Sequence, residues 1–537
     1  MTIYDYLIVG SGCSGAMAAQ TLVDKGLHVT MLDVGIEREP SAPTIPDGDF
    51  LQLRQDDPEQ YRYLIGDKAS GVVWGAVGKG EQITPTRKHI LAGVDTYIPM
   101  DSTTFSPLES LGYGGLGIGW GLQCWKYSEA DLKAAGLDSA KMHAAYQTVS
   151  DRIGISATDD DATRYTIGNL KRYQPSPAMD RNHRYIYEKY EAKRQKFNKQ
   201  GFHLGRTPLG LITKDRDGRK GYAYHDMDFY SDNDQSAWRP WITVNRLKQR
   251  PNFTYIGNKL VLSFHEKKDY TELKCLDITT DKTVSFYCRK LILASSTLGT
   301  ARIVLRSLGS GSTRLPLLCN PYTYVPSVQP RFFGKAAEPK KLGFTQLSLF
   351  YDADHTNSDA SVASLYSYQS LMLFRIVRHV PLNFVDARIL MQYLLSSIVI
   401  MGIHHPDKHS DTKFLELMQT GSSPTGDALH VNYELSDAEK AVCSQRERQL
   451  IRAMRKMGTY SLKKLDPGYG SSIHYAGTLP YSATDEPFTL AESGRLHGTR
   501  TVYVADSSGF NYLPAPGLTF SLMANAHIVA ESVAKNG

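Results

Sequence analysis

The chain has 537 residues, of which 41% are hydrophobic and 22% charged. This balance excludes an intrinsically disordered protein, which needs low hydrophobicity and a high net charge, and it excludes a polytopic membrane protein. The formal net charge is +6, from 61 Lys and Arg against 55 Asp and Glu, and no basic stripe is present. Nucleic acid is therefore not an expected partner, and weak attraction to anionic surfaces is the most that the charge predicts.

The cysteines are scattered and form no Cys-x-x-Cys pair, which in a chain of this length predicts free thiols in a reducing compartment. They are Cys13, Cys124, Cys275, Cys288, Cys319 and Cys443. No basic segment and no long apolar segment precede the first apolar run, so we expect no secretion signal and predict a cytoplasmic location.

The N-terminal segment predicts a βαβ unit. Residues 4–9 form a short apolar run, a glycine-rich turn follows, and a small-residue helix extends to Gly26. Residues 27–33 form a second apolar run. A strand, turn, helix and strand in this order open a doubly wound α/β domain.

The turn of this unit contains Gly10-x-Gly12-x-x-Gly15. The first glycine suits a tight turn, the second lets a pyrophosphate approach the backbone, and the third lets the helix pack on the strand. Asp33 ends the second strand, where its carboxylate can accept hydrogen bonds from ribose hydroxyls. The pattern predicts a dinucleotide site at the N-terminus of the helix and does not separate FAD from NAD.

The next part of the chain contains an irregular segment, a glycine-rich segment and two predicted helices. Residues 36–105 are rich in Pro, Gly and Asp and are predicted to be irregular. Residues 111–121 contain six glycines in eleven positions, which indicates backbone packed closely against a large or flat group. Helices are predicted over residues 129–155, with a capping-box start at Ser128, and over residues 180–200.

Strand patterns dominate the second half of the chain, and a change of composition predicts a second domain, mostly antiparallel sheet with covering helices, over residues 310–460. Before it, we predict strands over residues 253–256, 260–264, 273–278, 284–288 and 290–294, followed by the run SSTLGT and a helix that extends to about Leu308. Within and after it, we predict strands near 343–351, 397–404, 413–419, 428–434 and 501–505 and helices over 436–458 and 519–534.

One apolar segment, residues 389–403, is shorter than the ~20 residues that a membrane-spanning helix needs. The favoured interpretation is the end of a helix followed by a buried strand. The alternative joins this segment to residues 371–380 as an apolar surface in weak peripheral contact with a membrane.

Near the C-terminus, a second group of residues is suited to chemistry. The run SSIHYAGT contains His474, and the strand after it ends at Asp506. A loop with Pro516 then leads to a helix that opens at Thr519. A carboxylate at a strand end can bind a cofactor hydroxyl, and a helix N-terminus can stabilise the negative charge that develops on a reduced flavin. An imidazole suits proton transfer because its pKa lies near working pH.

The run HHPDKH forms a separate cluster of His404, His405, Asp407 and His409. Adjacent residues of a strand point to opposite faces, so we favour a turn-exposed polar cluster over a metal site. No metal-binding residue is therefore assigned.

The order of these motifs resembles that of the GMC (glucose–methanol–choline) oxidoreductases, FAD-dependent alcohol oxidases and dehydrogenases, nearly from end to end. The glycine fingerprint, residues 114–121, 294–302 and 428–437, His474-x-x-Gly-Thr and Ala505-Asp506-Ser-Ser each resemble a family segment. The resemblance implies an α/β fold in which a Rossmann-like FAD-binding domain carries a second, α+β substrate domain built on an antiparallel sheet. It implies that FAD contacts Gly10, Gly12, Ser14, Gly15, Asp33, Gly115, Gly119, Trp120, Ala294, Asp506, Pro516 and Thr519.

The resemblance further implies oxidation of a CH–OH group of a small-molecule alcohol by hydride transfer to flavin N5, with His474 as the base or as the group that stabilises the alkoxide. A sugar or a sugar-bearing natural product is the favoured substrate, and oxygen or another compound accepts the electrons. Many members carry a second His or Asn on the last loop, where this chain has Ala515. Asn511 is the predicted substitute for that group, and Trp120 stands where many members have Asn.

The predicted FAD-binding domain comprises residues 1–160, 241–309 and 461–537. Residues 161–240 are predicted as a connecting or substrate-domain segment, and residues 310–460 as the substrate-binding domain. Two alternatives stay open. The residue at position 515 allows a non-redox lyase or isomerase in which FAD is structural, and a degenerate fold allows a non-enzymatic nucleotide-binding protein.

Overall fold

The computed structural model defines the fold over most of the chain. It describes residues 2–38, 46, 50–65, 85–166, 168, 173–224, 232, 234–336, 338, 342–367, 381–421 and 423–535. All six cysteines are free, as predicted, and five of them are buried. Across these ranges, no helix combines the length and the apolar character that crossing a membrane requires.

A seven-stranded sheet forms the centre of the first unit. In spatial order its strands are Phe253–Ile256, Val29–Leu32, Ile3–Val9, Lys282–Leu293, Thr271–Asp277 and Lys259–Glu266, with Val502–Val504 paired to Lys282–Leu293. Five strands are parallel, as a βαβ fold requires, and a meander of antiparallel strands continues the sheet. The strands predicted at 284–288 and 290–294 are a single strand, because its first half pairs with the meander and its last residues pair with Val502–Val504.

Both faces of this sheet are covered, which explains why the last three residues of the strand Ile3–Val9 are apolar and buried. Ile8 packs into one core with the helices Cys13–Asp24 and Leu518–Lys535, whereas Leu7 and Val9 pack into the other core with the helix Thr297–Leu308.

Two predicted helices are each divided in two. Residues 129–155 form Glu129–Ala134 and Ser139–Ile153, and each of these helices begins at its own side-chain cap, Ser128 or Asp138. Residues 180–200 form Arg181–Glu191 and Arg194–Asn198. The helix predicted over 436–458 is observed as Asp437–Lys456, and Ser436 and Glu439 form its capping box.

The second unit is built on a six-stranded antiparallel sheet. Its spatial order is Tyr460–Ser461, Tyr322–Val328, Ile398–His404, Ser361–Tyr366, Leu347–Tyr351 and Phe202–Arg206. The strands at 202–206, 322–328 and 361–366 were not predicted; the second of them contains Pro326, a residue that ordinarily argues against a strand. Lys413–Gln419 and Asp427–Tyr433 lie instead in a separate four-stranded sheet with Leu315–Pro316 and Met100–Asp101.

The apolar segment 389–403 is the end of the helix Phe384–Leu394 followed by the strand Ile398–His404, so the favoured interpretation is confirmed. Residues 371–380, which the membrane alternative requires, lie outside the described residues. The domain bounds given above stay a prediction.

Short elements complete the fold, several of them in the region predicted to be irregular. The helical ones are Phe50–Asp56, Tyr61–Ile65, Pro85–Leu91, Val94–Tyr97, Gly115–Ile118, Asp161–Thr166, Pro240–Leu247, Pro330–Phe332 and Ser507–Gly509. The short strands are Ser156–Ala157, Gln174–Pro175, Leu318–Cys319, Asp407–Lys408, Tyr475–Ala476 and Tyr512–Leu513.

Candidate active site

Four parallel strands of the seven-stranded sheet end at one edge, and a predicted cofactor residue follows each of them. Gly10 follows Ile3–Val9, Asp33 follows Val29–Leu32, Ala294 follows Lys282–Leu293 and Asp506 lies just after Val502–Val504. Ligands of open α/β sheets bind outside the carboxyl ends of the strands. All four residues line one cavity of about 380 Å³.

The three fingerprint glycines differ in what surrounds them. Gly10 has a φ of +100°, and a Cβ there would lie 2.7 Å from the carbonyl oxygen of Ala294. A Cβ on Gly15 would lie 1.9 Å from the carbonyl oxygen of Gly10, so the fold requires both glycines. A Cβ on Gly12 would meet nothing closer than the carbonyl oxygen of Gly114 at 4.0 Å. Gly12 and Ser14 line the cavity, so the open space beside Gly12 faces the expected position of a pyrophosphate.

Asp33 is half-buried at the cavity wall and is held by hydroxyl groups. It accepts hydrogen bonds from Ser11 and, at 3.1 Å, from the Tyr255 hydroxyl. Burial raises its pKa to about 6, because desolvation disfavours the charged carboxylate. The Ser11 hydroxyl also accepts from the backbone N–H of Gly114 at 2.8 Å, and this bond joins the fingerprint turn to the glycine-rich segment.

The glycine-rich segment packs against the fingerprint helix. A Cβ on Gly117 would lie 2.6 Å from the sulfur of Cys13, and Gly114 has a φ of +99°. Gly115, Gly119 and Trp120 line the cavity. The indole N–H of Trp120 donates to the carbonyl of Trp238 at 3.1 Å, so its ring is fixed at the wall.

The C-terminal residues reach the same cavity. Asp506 is buried, its pKa is raised by burial, and it accepts from the Thr300 hydroxyl at 2.5 Å. Thr519 lines the cavity in the first turn of Leu518–Lys535, so the N-terminus of this helix lies at the cavity. Gly15 and Pro516 are not among the lining residues.

His474 lines the cavity, and Asn320 holds its ring. The Oδ1 atom of Asn320 lies 3.0 Å from Nδ1 of His474. The Nδ2 group of Asn320 donates to the carbonyls of His405 at 2.8 Å and Pro514 at 3.1 Å, so Oδ1 is left to accept. The proton of the neutral imidazole therefore lies on Nδ1, and Nε2 carries the lone pair.

Burial keeps this imidazole neutral. Desolvation lowers the pKa of His474 to about 4, so the ring accepts a proton and carries none on Nε2 at neutral pH. Ile473, directly before it, has a φ of +61°, which is strained for a β-branched residue. Strain of this kind is maintained only where the surrounding structure enforces it, so the backbone directly before His474 is held in one conformation.

The interpretation of HHPDKH as a turn-exposed cluster is wrong. His404 ends a strand of the six-stranded sheet and lines the cavity. His405 is buried and bonded to the Ser361 hydroxyl at 2.8 Å, and Asp407 is buried and accepts from Lys413 at 2.6 Å. The two histidines point to opposite faces, as expected for a strand: His404 faces the cavity, and His405 faces the protein interior. Within the described ranges, no three or more His, Cys, Asp or Glu residues are grouped so that they could hold a metal ion.

His404 faces His474 across the cavity wall. Their ring centroids are 5.2 Å apart with an interplanar angle of 27°. The sequence did not predict His404 or Asn320 as site residues. Both lie far from His474 along the chain and approach it only through the packing of distant segments. The adjacent pair of histidines was the available signal, and it was interpreted locally.

Asn511 does not reach the cavity. Its Nδ2 group donates to the carbonyl of Tyr481 at 2.9 Å, and the residue is not part of the lining. Ala515 is 2% exposed and packs with Trp125 and Phe350. The last loop therefore brings neither side chain to His474, and the prediction that Asn511 substitutes for the second catalytic group is wrong.

Uncharged polar side chains form a further part of the cavity wall. The Gln123 amide donates to the hydroxyls of Thr345 at 3.2 Å and Ser364 at 3.1 Å. Tyr322 and Tyr366 lie beside them with their hydroxyls 3.4 Å apart. All five residues line the cavity, and hydroxyl and amide groups of this kind suit a substrate rich in hydroxyls.

Comparison with known proteins agrees with this geometry. The chain is 22% identical to paromamine 6'-oxidase of Streptomyces fradiae over 569 aligned positions, covering 100% of this chain and 92% of that protein. The crystal structure of pyridoxine 4-oxidase from Mesorbium loti superposes with a TM-score of 0.60 at 13% identity, and the match covers 99% of both chains. No protein-family model matches the chain.

Both similarities agree with the resemblance of the chain to the GMC oxidoreductases. The predicted α/β fold, with a Rossmann-like unit and a substrate unit, is confirmed by the structural match. Proteins of the GMC type carry a flavin, and the cavity fits one at the fingerprint, because Gly12 leaves open the space that a side chain would fill. The individual contacts to the cofactor stay predictions.

Proposed function

We propose that the chain is an FAD-dependent oxidoreductase that oxidises a CH–OH group of a small molecule, with His474 taking the hydroxyl proton. The observation that carries the proposal is a single cavity that extends from the fingerprint turn and Asp33 to a neutral imidazole whose Nε2 is free to accept. A GMC-type chain with this arrangement has both the nucleotide site and the base that alcohol oxidation needs.

The cofactor residues divide by chemistry. Gly12 and the N-terminus of Cys13–Asp24 suit the pyrophosphate, because free N–H groups and the helix dipole favour an anion there. Asp33 suits the ribose hydroxyls, since its carboxylate oxygens accept hydrogen bonds. The N-terminus of Leu518–Lys535 suits the developing charge of a reduced ring. When bound, the flavin supplies the acceptor for the hydride that leaves the carbinol carbon.

The substrate that fits best is an uncharged, hydroxyl-bearing small molecule such as a sugar or a sugar-bearing natural product. The polar wall of Gln123, Thr345 and Ser364 supports this class, because its amide and hydroxyl groups pair with hydroxyls. By their names, the two similar proteins oxidise paromamine at position 6' and pyridoxine at position 4. Both names therefore support a small molecule as the substrate.

Removal of the amide at position 320 is expected to slow the reaction without releasing the flavin. In Asn320→Ala, Nδ1 of His474 loses its acceptor, so the tautomer with the lone pair on Nε2 is no longer enforced. We expect the rate of flavin reduction by the alcohol to fall by about tenfold to hundredfold, the range found when a partner that orients a histidine is removed. The measurement is anaerobic stopped-flow reduction.

The matched control for this change is Asn432→Ala, since the Asn432 amide donates to the carbonyl of Thr412 far from the cavity. A wild-type rate in Asn320→Ala, with the flavin in place, would show that this amide does not orient the base.

The rate of flavin reduction is not expected to show the fall near pH 6.5 that an ordinary histidine base causes. The base must be neutral to accept the proton, and burial lowers the pKa of His474 to about 4. The rate should therefore stay level down to about pH 5 and fall as the pH drops through about 4, whereas an ordinary histidine would give a fall near pH 6.5. An acid limb near pH 6.5 would contradict the assignment.

The test of the proposed function is the visible spectrum of the purified protein, followed by anaerobic addition of alcohols and sugars in separate samples. We expect flavin bands that bleach with at least one hydroxyl compound. A colourless protein that takes up no added FAD would favour a non-enzymatic nucleotide-binding protein. Turnover without consumption of any electron acceptor would favour a lyase or an isomerase.

A further inference from the structure

A second imidazole lies at the reactive end of the cavity. His404, the last residue of Ile398–His404, stacks on His474 with a centroid separation of 5.2 Å and on Tyr322 with one of 4.6 Å. It enters from the six-stranded sheet, whereas His474 enters from the C-terminal segment. The two rings therefore face one space from opposite units.

The ring of His404 is held by stacking and not by hydrogen bonds. In the part of the chain that the structure describes, neither of its ring nitrogens has a hydrogen-bond partner. A polar group without a protein partner at the wall of a cavity is available to a ligand, because an unsatisfied buried nitrogen is costly. Each nitrogen of His404 can therefore serve a substrate atom.

We infer that His404 is a catalytic residue that donates an N–H hydrogen bond to the substrate oxygen while His474 accepts the proton from that oxygen. This inference rests on the proposed function. In the step, the O–H bond breaks and its proton moves to Nε2 of His474, and the carbinol hydrogen leaves with its electron pair to the oxidised flavin. His404 keeps its proton, and the C–O bond becomes a carbonyl.

The donor role follows from charge. Once His474 has taken the proton it is a cation, and a second cation stacked at 5.2 Å would be repelled. Burial and the neighbouring His474 both lower the pKa of His404, so the ring stays neutral and keeps one N–H to donate. A donor aimed at the oxygen stabilises the charge that develops there as the proton leaves.

The position of His404 also explains how the site can have a second polar group although the last loop carries Ala515. Ala515 packs away from the cavity and Asn511 bonds to Tyr481, so the last loop supplies no second polar group to His474. A histidine from the six-stranded sheet places an N–H donor at this end of the cavity instead. The reaction then depends on the packing of the two units against each other.

The test distinguishes the loss of the hydrogen-bond donor at position 404 from the loss of the aromatic ring. His404→Phe keeps an aromatic ring to stack on His474 and Tyr322 but has no donor, whereas His404→Gln keeps a donor and loses the ring. His430→Asn is the control, because His430 lies outside the cavity beside Asp101. Each holoenzyme is examined by its flavin spectrum, its unfolding temperature and anaerobic stopped-flow reduction with an alcohol that bleaches the wild type.

We expect His404→Phe to keep the flavin spectrum and unfolding temperature of the wild type while flavin reduction slows by about 10²–10³-fold, the usual loss on removal of one such donor. His404→Gln should recover at least about tenfold of this loss. Wild-type reduction in His404→Phe would overturn the inference, and so would equal rates in the two variants. If His404→Phe unfolds or loses its flavin, the test rests on folded His404→Gln. A wild-type rate of flavin reduction in that variant supports the donor role, and a rate lowered by about 10²–10³-fold overturns the inference. Failure of the wild type itself to bleach would instead count against the proposed function.

Discussion

Replacement of His474 by alanine is expected to slow flavin reduction by the alcohol by about 10²–10⁴-fold, the range typical of a lost general base. The reason is that Nε2 of His474 is the acceptor that the Asn320 contact leaves free at the cavity. The flavin should stay bound, because the residues assigned to its nucleotide part lie on the carboxyl ends of the strands. Anaerobic stopped-flow spectroscopy measures the reduction rate directly.

The matched control for this experiment is His430→Asn, which changes a histidine at a distance from the cavity and should reduce at the wild-type rate. Reduction of the His474→Ala flavin at the wild-type rate would remove His474 from the chemistry. Loss of the flavin spectrum in His474→Ala would show that the residue supports binding of the cofactor instead.

Gly12→Ala is expected to lose flavin without loss of the fold. The backbone at Gly12 has a φ of −64°, which any residue adopts, and the nearest atom to an added Cβ is 4.0 Å away. The methyl group therefore fits the protein but occupies the space proposed for the pyrophosphate. We expect a cost of about 1–3 kcal/mol in flavin affinity, which is roughly a 5- to 150-fold loss, as for overpacking elsewhere.

Gly15→Ala gives the contrasting result. Its added Cβ would lie 1.9 Å from the carbonyl oxygen of Gly10, so helix and strand must move apart. We expect a lower unfolding temperature in the flavin-free protein, with a destabilisation of about 3 kcal/mol or more. Gly311→Ala, which adds a methyl group in open space, is the control for both variants. Unchanged flavin affinity in Gly12→Ala would contradict the position of the nucleotide.

The nucleotide half of the site was predictable from sequence because it obeys local rules. Gly10, Asp33, Ala294 and Asp506 each follow an apolar run, and parallel strands bring their carboxyl ends to one edge of the sheet. The positions of Gly10, Asp33 and Asp506 after apolar runs therefore predicted their side of the sheet, whereas Ala294 was implied by the family resemblance. The helix starts at Ser436 and Ser128 were also predictable from neighbouring residues, because each serine side chain caps its helix.

The substrate half was not predictable, because it depends on contacts between distant segments. His404 and Asn320 reach His474 only through the pairing of Tyr322–Val328 with Ile398–His404 and through the packing of that sheet on the C-terminal segment. The direction of a loop side chain is set in the same way. Asn511 was predicted to substitute because it lies four residues before Ala515 and the loop could curl back, but its amide donates to the carbonyl of Tyr481.

The most direct test of the account is a crystal structure of the protein with bound FAD. We expect the pyrophosphate to lie against Gly12, the ribose hydroxyls to bind Asp33, and the isoalloxazine ring to lie at the end of the cavity where His474 and His404 face each other. A flavin bound elsewhere, or an imidazole of His474 turned away from the ring, would contradict it.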